Sequence, residues 1–350
     1  MIISKKIFLL IVILPLLLLS CKKESNSVAT TLSPAEMERL EEIADEAGQI
    51  ASIRSLLIQY DDETIIERYY HYANALMKDD VMSVTKSVTS ALIGIAVDKG
   101  YIENVDQTLS DFLEGVVEPD EQRGAITIRQ LLMMSCGLEW HGLTTSEDYL
   151  AWIDAPDQLT YILDKPFDHT PGVDFNYSDG AAHLLSAILT EATGQSAHDF
   201  ARQYLFEPLG IDNTAWGEDN RGYTIGSTQL QISANNMLKF GNLFLHKGMW
   251  NGERIISREW IETSTATHLS THNAIPYGSN YSYLWWVGEY RDHSFYFANG
   301  YGGQFIVVVP DFKLVVVATA NWRYSDQEAG QYWYQIIQTI MDDILPVFNR

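Results

Sequence analysis

The chain has 350 residues, of which 46% are hydrophobic and 12% aromatic, so it can bury a large core in one domain or two closely packed ones and is not a disordered tail. Its formal charge of −23 becomes −25 when residues 1–20, which hold two lysines and no acid, are left out. Because such an acidic surface repels a phosphate backbone, the composition argues against nucleic acid as a partner.

The N-terminus has the pattern of a bacterial signal peptide. Two lysines precede an apolar run that ends at Leu19, and this run is shorter than the roughly 20 residues of a transmembrane helix. The run closes with Leu18-Leu19-Ser20-Cys21, which resembles the lipobox of bacterial lipoproteins. We therefore interpret residues 1–20 as a lipoprotein signal peptide, Cys21 as the lipidated first residue of the mature chain, and residues 21–32 as a polar tether. A plain secretory signal, or an uncleaved anchor with a chance cysteine, is the alternative.

The lipoprotein interpretation predicts both a location and the state of the cysteines. Lipidation would anchor the protein to a membrane of the bacterial cell envelope, at the outer membrane, facing the periplasm or the cell surface. It would leave Cys136 as the single free thiol, so no intramolecular disulfide could form. The stability of the domain predicted for residues 33–350 must then come from its core.

Helix and strand signals follow one another along this domain. SPAEMERLEEIADEAG (33–48) predicts a helix, because Ser33 and Glu36 have the spacing of a capping box. SIRSLLIQYDDETIIERYY (52–70) predicts a β-hairpin around an acidic turn. Residues from about 85 to 265 are mostly helical. The last third predicts strands and a final helix: YSYLWWVGEY (281–290), HSFYFAN (293–299), GQFIVVVP (303–310), KLVVVATAN (313–321) and the helix over 326–345.

This order of elements predicts an α+β fold, an α/β sandwich. One antiparallel sheet is built from both chain ends and flanked by helices, and a mainly helical subdomain is inserted at about 105–265. A cleft is expected where the sheet region and the helical region meet, since ligand sites are common at such junctions.

Ser83 and Lys86 form a candidate catalytic pair in VMSVTKSVTSALIGIAVDKG (81–100). Residues i and i+3 of a helix are neighbours, so the lysine can reach the serine hydroxyl. A serine becomes a good nucleophile when a neighbouring base takes its proton, and burial can lower the pKa of a lysine enough for that task. Backbone N–H groups at the start of the helix could also stabilise an oxyanion. Taken alone, the Ser-x-x-Lys string is better explained by Ser83 as an N-terminal cap or turn residue before a solvated lysine.

Five separated stretches favour a catalytic role for Ser83 and Lys86, because together they resemble the serine β-lactamase and penicillin-binding-protein superfamily. The likeness is greatest to its class C-like branch, which contains esterases, D-amino-acid peptidases and 6-aminohexanoate-dimer hydrolases. The resemblance spans residues from about 50 to 345. The stretches are VMSVTKSVTSALIGIAVDKG, ITIRQLLMMSCGLEW, PGVDFNYSDGAAHLLSAILTEATGQSAHDFARQYLFEPLGI, ANNMLKFGNLFLHKGMWNGERIISREW and ANGYGGQFIVVVPDFKLVVVAT.

The resemblance implies a role for individual residues. Ser83 would be the acylated nucleophile and Lys86 its partner. Tyr177, in Tyr177-Ser178-Asp179, would help to activate the serine and pass its proton to the leaving group. A nearby ammonium can pull a phenol toward phenolate, and which of the two holds the proton at rest stays open. The backbone N–H groups of Ser83 and Tyr301 would form the oxyanion site, and an ungapped alignment would place Ala298 in the position of Tyr301.

Two departures from the family pattern bear on the substrate. The second motif ends in Asp179 where the family usually has asparagine, which either weakens contact with an amide carbonyl or suits a substrate with a basic group. The third motif, Lys-Thr-Gly in β-lactamases, is Ala298-Asn299-Gly300 here and has no lysine for a substrate carboxylate. Asp179, Asn299 and Gly300 are the predicted substrate-binding residues.

The sequence therefore predicts a serine hydrolase that cleaves a small-molecule ester, amide or peptide bond through a Ser83 acyl-enzyme. No metal and no organic cofactor is implied. A β-lactamase or D,D-carboxypeptidase is one alternative, and the missing third-motif lysine argues against it. A non-catalytic binding or scaffold protein is the other.

Overall fold

The computed structural model describes residues 32–117 and 122–349. The predicted signal peptide, Cys21 and all but the last residue of the predicted tether lie outside these residues and stay predictions. In the part of the chain that is described, no helix is long and apolar enough to cross a membrane.

The strands of the described residues form one large antiparallel sheet and two small sheets. They are β1 (Ile53–Tyr60), β2 (Glu63–Tyr69), β3 (Lys78–Asp80), β4 (Ala215–Trp216), β5 (Leu230–Ser233), β6 (Met249–Trp250), β7 (Glu253–Arg254), β8 (Leu269–Ile275), β9 (Gly278–Tyr281), β10 (Trp286–Tyr290), β11 (His293–Gly300), β12 (Gln304–Val309) and β13 (Leu314–Ala320). The large sheet has the order β2-β1-β13-β12-β11-β10-β9-β8, and the small sheets have the orders β3-β5-β4 and β6-β7.

Helices occupy the two ends of the domain and most of its middle. They are α1 (Pro34–Ala47), α2 (Val84–Asp98), α3 (Ile128–Leu132), α4 (Glu147–Ile153), α5 (Gln158–Leu163), α6 (Asp179–Thr193), α7 (Ala197–Ala201), α8 (Ala234–Leu245), α9 (Arg258–Ser264), α10 (Asp326–Gln338) and α11 (Leu345–Phe348). A π-helical segment, Thr339–Ile344, joins α10 to α11.

Local sequence signals explain where the first elements begin and end. Ser33 and Glu36 bond reciprocally across the first turn of α1, which is the predicted capping box. The turn between β1 and β2 has positive φ at both Asp61 and Asp62, 46° and 70°. That combination belongs to the type I′ turn, whose twist matches the twist of a two-stranded ribbon. The acidic turn therefore closes the predicted hairpin.

The large sheet lies between two layers of helices. Every residue of β12 is buried, which explains why its sequence is a continuous apolar run rather than an alternating one. On one face, α8 contacts β12, β13 and β1, and α2 contacts β11 and β12. On the other face, α1 contacts β1 and β2, while Trp333 of α10 packs on Phe305 of β12 at a ring distance of 5.7 Å. This arrangement confirms the predicted α+β sandwich with a sheet built from both chain ends.

The predicted strand 281–290 is wrong in one respect, because the chain turns sharply in its middle. β9 ends at Tyr281, Ser282 N–H donates to the carbonyl of Trp285, and β10 starts at the next residue. Leu284 has a φ of 58° inside this turn. Residues 281–287 are all buried and, apart from Ser282, apolar or aromatic, so the hydrophobic pattern does not reveal where the chain reverses. β8, just before it, extends the sheet beyond the predicted strands.

Candidate active site

Ser83 lies at the junction of a short strand and the buried helix α2. The preceding residue, Met82, has a φ of 51°, a strained value for a residue with a side chain. The carboxylate of Asp80 fixes this turn, since it accepts hydrogen bonds from the N–H groups of Met82 (2.7 Å) and Gln229 (3.0 Å). Ser83 occupies the N-cap position of α2, but its side chain caps no backbone N–H. The capping explanation of Ser83 is therefore wrong.

Lys86 lies one helical turn further along and is buried, with 1% of its side chain exposed. Its Nζ donates to Ser83 Oγ at 2.8 Å, to Asp179 Oδ1 at 2.6 Å and to the carbonyl of Ser227 at 3.3 Å. These three acceptors match the three hydrogens of an ammonium group. The alternative of a solvated surface lysine is therefore excluded.

The charge state of Lys86 differs from the expectation that burial lowers its pKa. Burial does act in that direction, but the negative charge of Asp179 and the Tyr177 hydroxyl act in the other. The net result is that the pKa of Lys86 is raised above its ordinary value. Lys86 is thus an ammonium at neutral pH, paired with a carboxylate.

Tyr177 forms the wall of the site beside this pair. The Lys86 Nζ lies 4.8 Å from the centre of its ring. The ring packs against Trp286 at 5.6 Å and edge-on against Tyr281 at 6.2 Å. Burial raises the pKa of Tyr177, and the nearby ammonium opposes this effect without reversing it. Tyr177 is therefore a neutral phenol at neutral pH rather than a phenolate.

Asp179 has a partner that the sequence interpretation missed. It is the first residue of α6, whose N-cap Ser178 accepts a hydrogen bond from the N–H of Ala181 at 3.1 Å. This cap turns the Asp179 side chain into the core, where it is 6% exposed and pairs with Lys86. One signal was available, because a buried lysine requires an anion and Asp179 is the charged residue of the second motif.

The third-motif residues lie at the end of β11, opposite Ser83. A Cβ on Gly300 would come within 2.5 Å of the carbonyl oxygen of Val81, so only glycine lets this strand approach the turn before Ser83. Asn299 accepts a hydrogen bond from the indole N–H of Trp333 at 2.6 Å. The Tyr301 hydroxyl donates a hydrogen bond to Asp326 at 2.6 Å. Tyr301 lines the same cleft as Ser83.

The cleft extends from Ser83 in two directions. The larger part has a volume of about 560 Å³, and about half of the side chains that line it are apolar or aromatic, among them Leu143, Tyr149, Leu150, Trp322 and Tyr324. Leu143 and Leu150 are 41% and 54% exposed at its mouth. The smaller part, about 250 Å³, includes Asn299, Ala329, Gly330 and Trp333. Ser83 and Tyr177 line both parts, so a substrate can place one group on each side of the serine.

Cys136 and the histidines have no part in this constellation. Cys136 is free and buried, and burial raises the pKa of its thiol to about 11, which makes it a poor nucleophile. His183 is buried, and its Nε2 lies 2.9 Å from Asp219 Oδ2. The described residues contain no group of three or more His, Cys, Asp or Glu side chains placed to hold a metal ion.

The Asp80 carboxylate gives a pH-dependent prediction for stability. Burial raises its pKa from 3.8 to about 6 in the folded protein. Its contribution to stability is therefore complete below about pH 4 and is lost as the pH rises through about 6. Asp80→Asn keeps an oxygen for the two N–H groups and loses the buried charge. Relative to wild type, we expect it to gain about 1–2 kcal/mol of unfolding free energy between about pH 4 and pH 8, allowing for partial exposure.

Urea unfolding of both proteins at the two pH values measures this gain. If the difference between wild type and Asp80→Asn is the same at both pH values, the carboxylate is not titrating in the buried state. Asp80→Ala is the control, since it removes both hydrogen bonds and should lower stability at either pH.

Comparison with known proteins gives the family. Residues 39–340 match the Beta-lactamase family. The 6-aminohexanoate-dimer hydrolase of Paenarthrobacter ureafaciens is 23% identical, with 91% of this chain and 82% of that protein covered. A candidate 6-aminohexanoate-dimer hydrolase from Bacillus anthracis has a similar structure, with a TM-score of 0.72 at 21% identity over 88% of this chain and 82% of that one.

The structure of EstCE1, a hydrolase with promiscuous acyltransferase activity, is also similar. Its TM-score is 0.69 at 17% identity, with 85% of this chain and 99% of that chain covered. The resemblance read from the five sequence stretches is thereby confirmed. Because the family match spans most of its length, this chain belongs to the Beta-lactamase family.

Proposed function

We propose that the protein is a serine hydrolase that cleaves an ester or amide bond through an acyl-enzyme on Ser83. The observation that carries this proposal is the 2.8 Å contact between Lys86 Nζ and Ser83 Oγ, made by a serine whose side chain caps nothing. A buried lysine beside a serine at the mouth of a cleft is the arrangement expected of an activated nucleophile.

The reaction proceeds in two halves that use the same groups. Ser83 Oγ forms a bond to the carbonyl carbon while its proton passes to the Lys86–Tyr177 pair. The bond to the leaving group breaks, and that proton passes to the departing alcohol or amine. Water then attacks the acyl carbon, gives its proton to the pair, and Ser83 recovers a proton as the carboxylic acid leaves.

The developing oxyanion is stabilised by backbone N–H groups on opposite sides of the cleft. Ser83 supplies one from the start of α2, where the helix dipole also favours negative charge. Tyr301 supplies the other from the end of β11, which the close contact of Gly300 with Val81 brings next to the Ser83 turn. The hydrogen bond from Tyr301 to Asp326 anchors this segment.

The lining of the cleft supports small, mainly apolar substrates. The larger part offers aromatic and aliphatic side chains to an acyl or alkyl group. Its one arginine, Arg323, is already paired with Asp79 through contacts of 2.6 and 2.8 Å. A hydrolase of an amide dimer, and a hydrolase with acyltransferase activity, are among the similar proteins, which supports both amides and esters as substrates.

Two other functions are compatible with the fold and are less well supported. A β-lactamase or D,D-carboxypeptidase must hold a substrate carboxylate, and the third motif offers the neutral amide of Asn299 where those enzymes have the positive charge of a lysine. A non-catalytic binding protein has no need of a buried lysine aimed at a serine. The intact Ser83, Lys86 and Tyr177 set therefore favours a hydrolase.

Covalent labelling tests the proposed function directly. The protein from residue 22 onward is treated with a fluorophosphonate, which forms a bond from Ser83 Oγ to phosphorus as fluoride leaves. We expect intact mass spectrometry to show one adduct, and peptide mapping to place it on Ser83. Protein denatured by heat before treatment is the control and should remain unlabelled.

The labelling result also separates the alternative functions. A labelled protein justifies assays with nitrophenyl esters, nitroanilides and a chromogenic cephalosporin, in which turnover of the cephalosporin would favour the β-lactamase alternative. A folded wild type that forms no adduct at any pH would rule out the acyl-enzyme and leave the binding protein as the better explanation.

A further inference from the structure

The ion pair between Lys86 and Asp179 places a fixed negative charge within the catalytic machinery. Its two atoms, Nζ and Oδ1, are 2.6 Å apart, and the two side chains are 1% and 9% exposed. Water therefore screens the pair very little. The electrostatic attraction between Asp179 and Lys86 is therefore only weakly reduced by solvent.

In the resting site, both Lys86 and Tyr177 are protonated, so neither can act as the base that takes the proton of Ser83. An ammonium has no lone pair, and Lys86 already donates to Ser83 Oγ rather than accepting from it. Tyr177 keeps its hydroxyl proton because burial raises its pKa. The reactive form of the site must therefore contain one proton fewer than the resting form, taken from either Lys86 or Tyr177.

Asp179 makes that loss of a proton unfavourable. The resting site holds one ammonium, one carboxylate and one neutral phenol, so it has no net charge. After a proton leaves, the site carries a net negative charge in a buried environment, which is costly. With a neutral asparagine at position 179, the reactive form would instead be neutral.

We propose that Asp179 is a positioning residue that holds Lys86 as an ammonium, so that Ser83 becomes reactive only at alkaline pH. This inference rests on the proposed function and adds its regulation by pH. It also assigns Asp179 a role other than contact with a basic group of the substrate.

Other titratable groups around the pair do not cancel the effect of Asp179. Burial raises the pKa of Tyr149 and of Tyr281, so both are neutral phenols near neutral pH. Asp80 adds negative charge and acts in the same direction as Asp179. Arg323 and Asp326 also line the cleft, where Arg323 is paired with Asp79 and Asp326 accepts from the Tyr301 hydroxyl. The other titratable groups that face the site are Asp80 on β3, Tyr149 on α4, Tyr177 before α6, Asp179 on α6 and Tyr281 on β9.

The test is the rate of fluorophosphonate labelling between about pH 6 and pH 10, because this small uncharged probe needs no basic group. For wild type we expect the rate to rise about tenfold per pH unit, with no plateau near neutrality. Loss of an opposite charge at this distance lowers a pKa by about 1–3 units. Asp179→Asn should therefore reach its plateau at least one unit lower, and should label roughly tenfold faster than wild type at pH 7.

Asp219→Asn is the matched control. It removes another buried carboxylate that is hydrogen-bonded to a side chain of α6, His183, and neither residue lines the cleft at Ser83. We expect its pH profile to follow that of wild type. If the pH profile shifts in Asp179→Asn and stays unchanged in Asp219→Asn, the shift is due to the charge of Asp179.

The wild-type profile keeps the inference falsifiable even if Asp179→Asn does not fold. A wild-type rate that levels off near neutral pH would overturn the inference while supporting the proposed nucleophile. An unchanged profile in folded Asp179→Asn would overturn it as well. Absence of labelling at every pH would instead count against the proposed function itself.

Discussion

Ser83→Ala is expected to lower hydrolysis of any ester or amide substrate by about 10⁴- to 10⁶-fold, the scale seen when the nucleophile of a serine hydrolase is removed. The acyl-enzyme cannot form without Oγ, and the oxyanion N–H groups alone leave only weak catalysis. Stability should change little, because the Ser83 side chain makes no helix cap. The measurement is kcat/KM with a nitrophenyl ester, alongside the melting temperature.

Ser90→Ala is the matched control for this prediction. Ser90 lies on the same helix, is fully buried, and its hydroxyl has no hydrogen-bond partner in the described structure. Its removal should leave kcat/KM within about twofold of wild type. Retention of wild-type turnover by Ser83→Ala would mean that another residue is the nucleophile.

Lys86→Met is expected to lower turnover by about 10⁴-fold or more and also to destabilise the fold. Methionine has a similar length, but it can neither take a proton from Ser83 nor neutralise Asp179. A carboxylate left buried without its partner costs about 3–5 kcal/mol. The two measurements are kcat/KM and urea unfolding at neutral pH.

The double variant Lys86→Met with Asp179→Asn separates the two effects. Removing both charges should restore roughly 2 kcal/mol or more of the lost stability, since no uncompensated charge remains. Turnover should stay as low as in Lys86→Met. A Lys86→Met protein as stable as wild type would show that the ion pair contributes nothing to the fold.

The fold was largely predictable because its signals are local. The capping box at Ser33 and the acidic turn after β1 each depend on a few adjacent residues. The apolar strands of the C-terminal third follow from their composition. The break between Tyr281 and Trp286 was not predictable in this way, because residues 283–285 of the turn are as buried and as apolar as residues 286–287 of the strand that follows.

The sequence was enough to select the residues of the candidate site, but it was not enough to predict their protonation states. The spacing of Ser83 and Lys86 on one helix, and the motif around Tyr177, suffice to select these residues. Their protonation depends on Asp179, which is 93 residues from Lys86 along the chain and in direct contact with it. The sequence interpretation expected a lysine with a lowered pKa, whereas the structure gives it a carboxylate partner.

By itself, the sequence indicated most of the helices and strands, the family resemblance, and Ser83, Lys86 and Tyr177 as the candidate catalytic residues. Only the tertiary structure decided that Lys86 is an ammonium, that Tyr177 is a neutral phenol, and that Asp80 holds the turn before Ser83. The physical reason is that helix caps, tight turns and hydrophobic periodicity depend on residues that are close together along the chain. Charge and burial depend instead on every group that folding brings within a few ångströms.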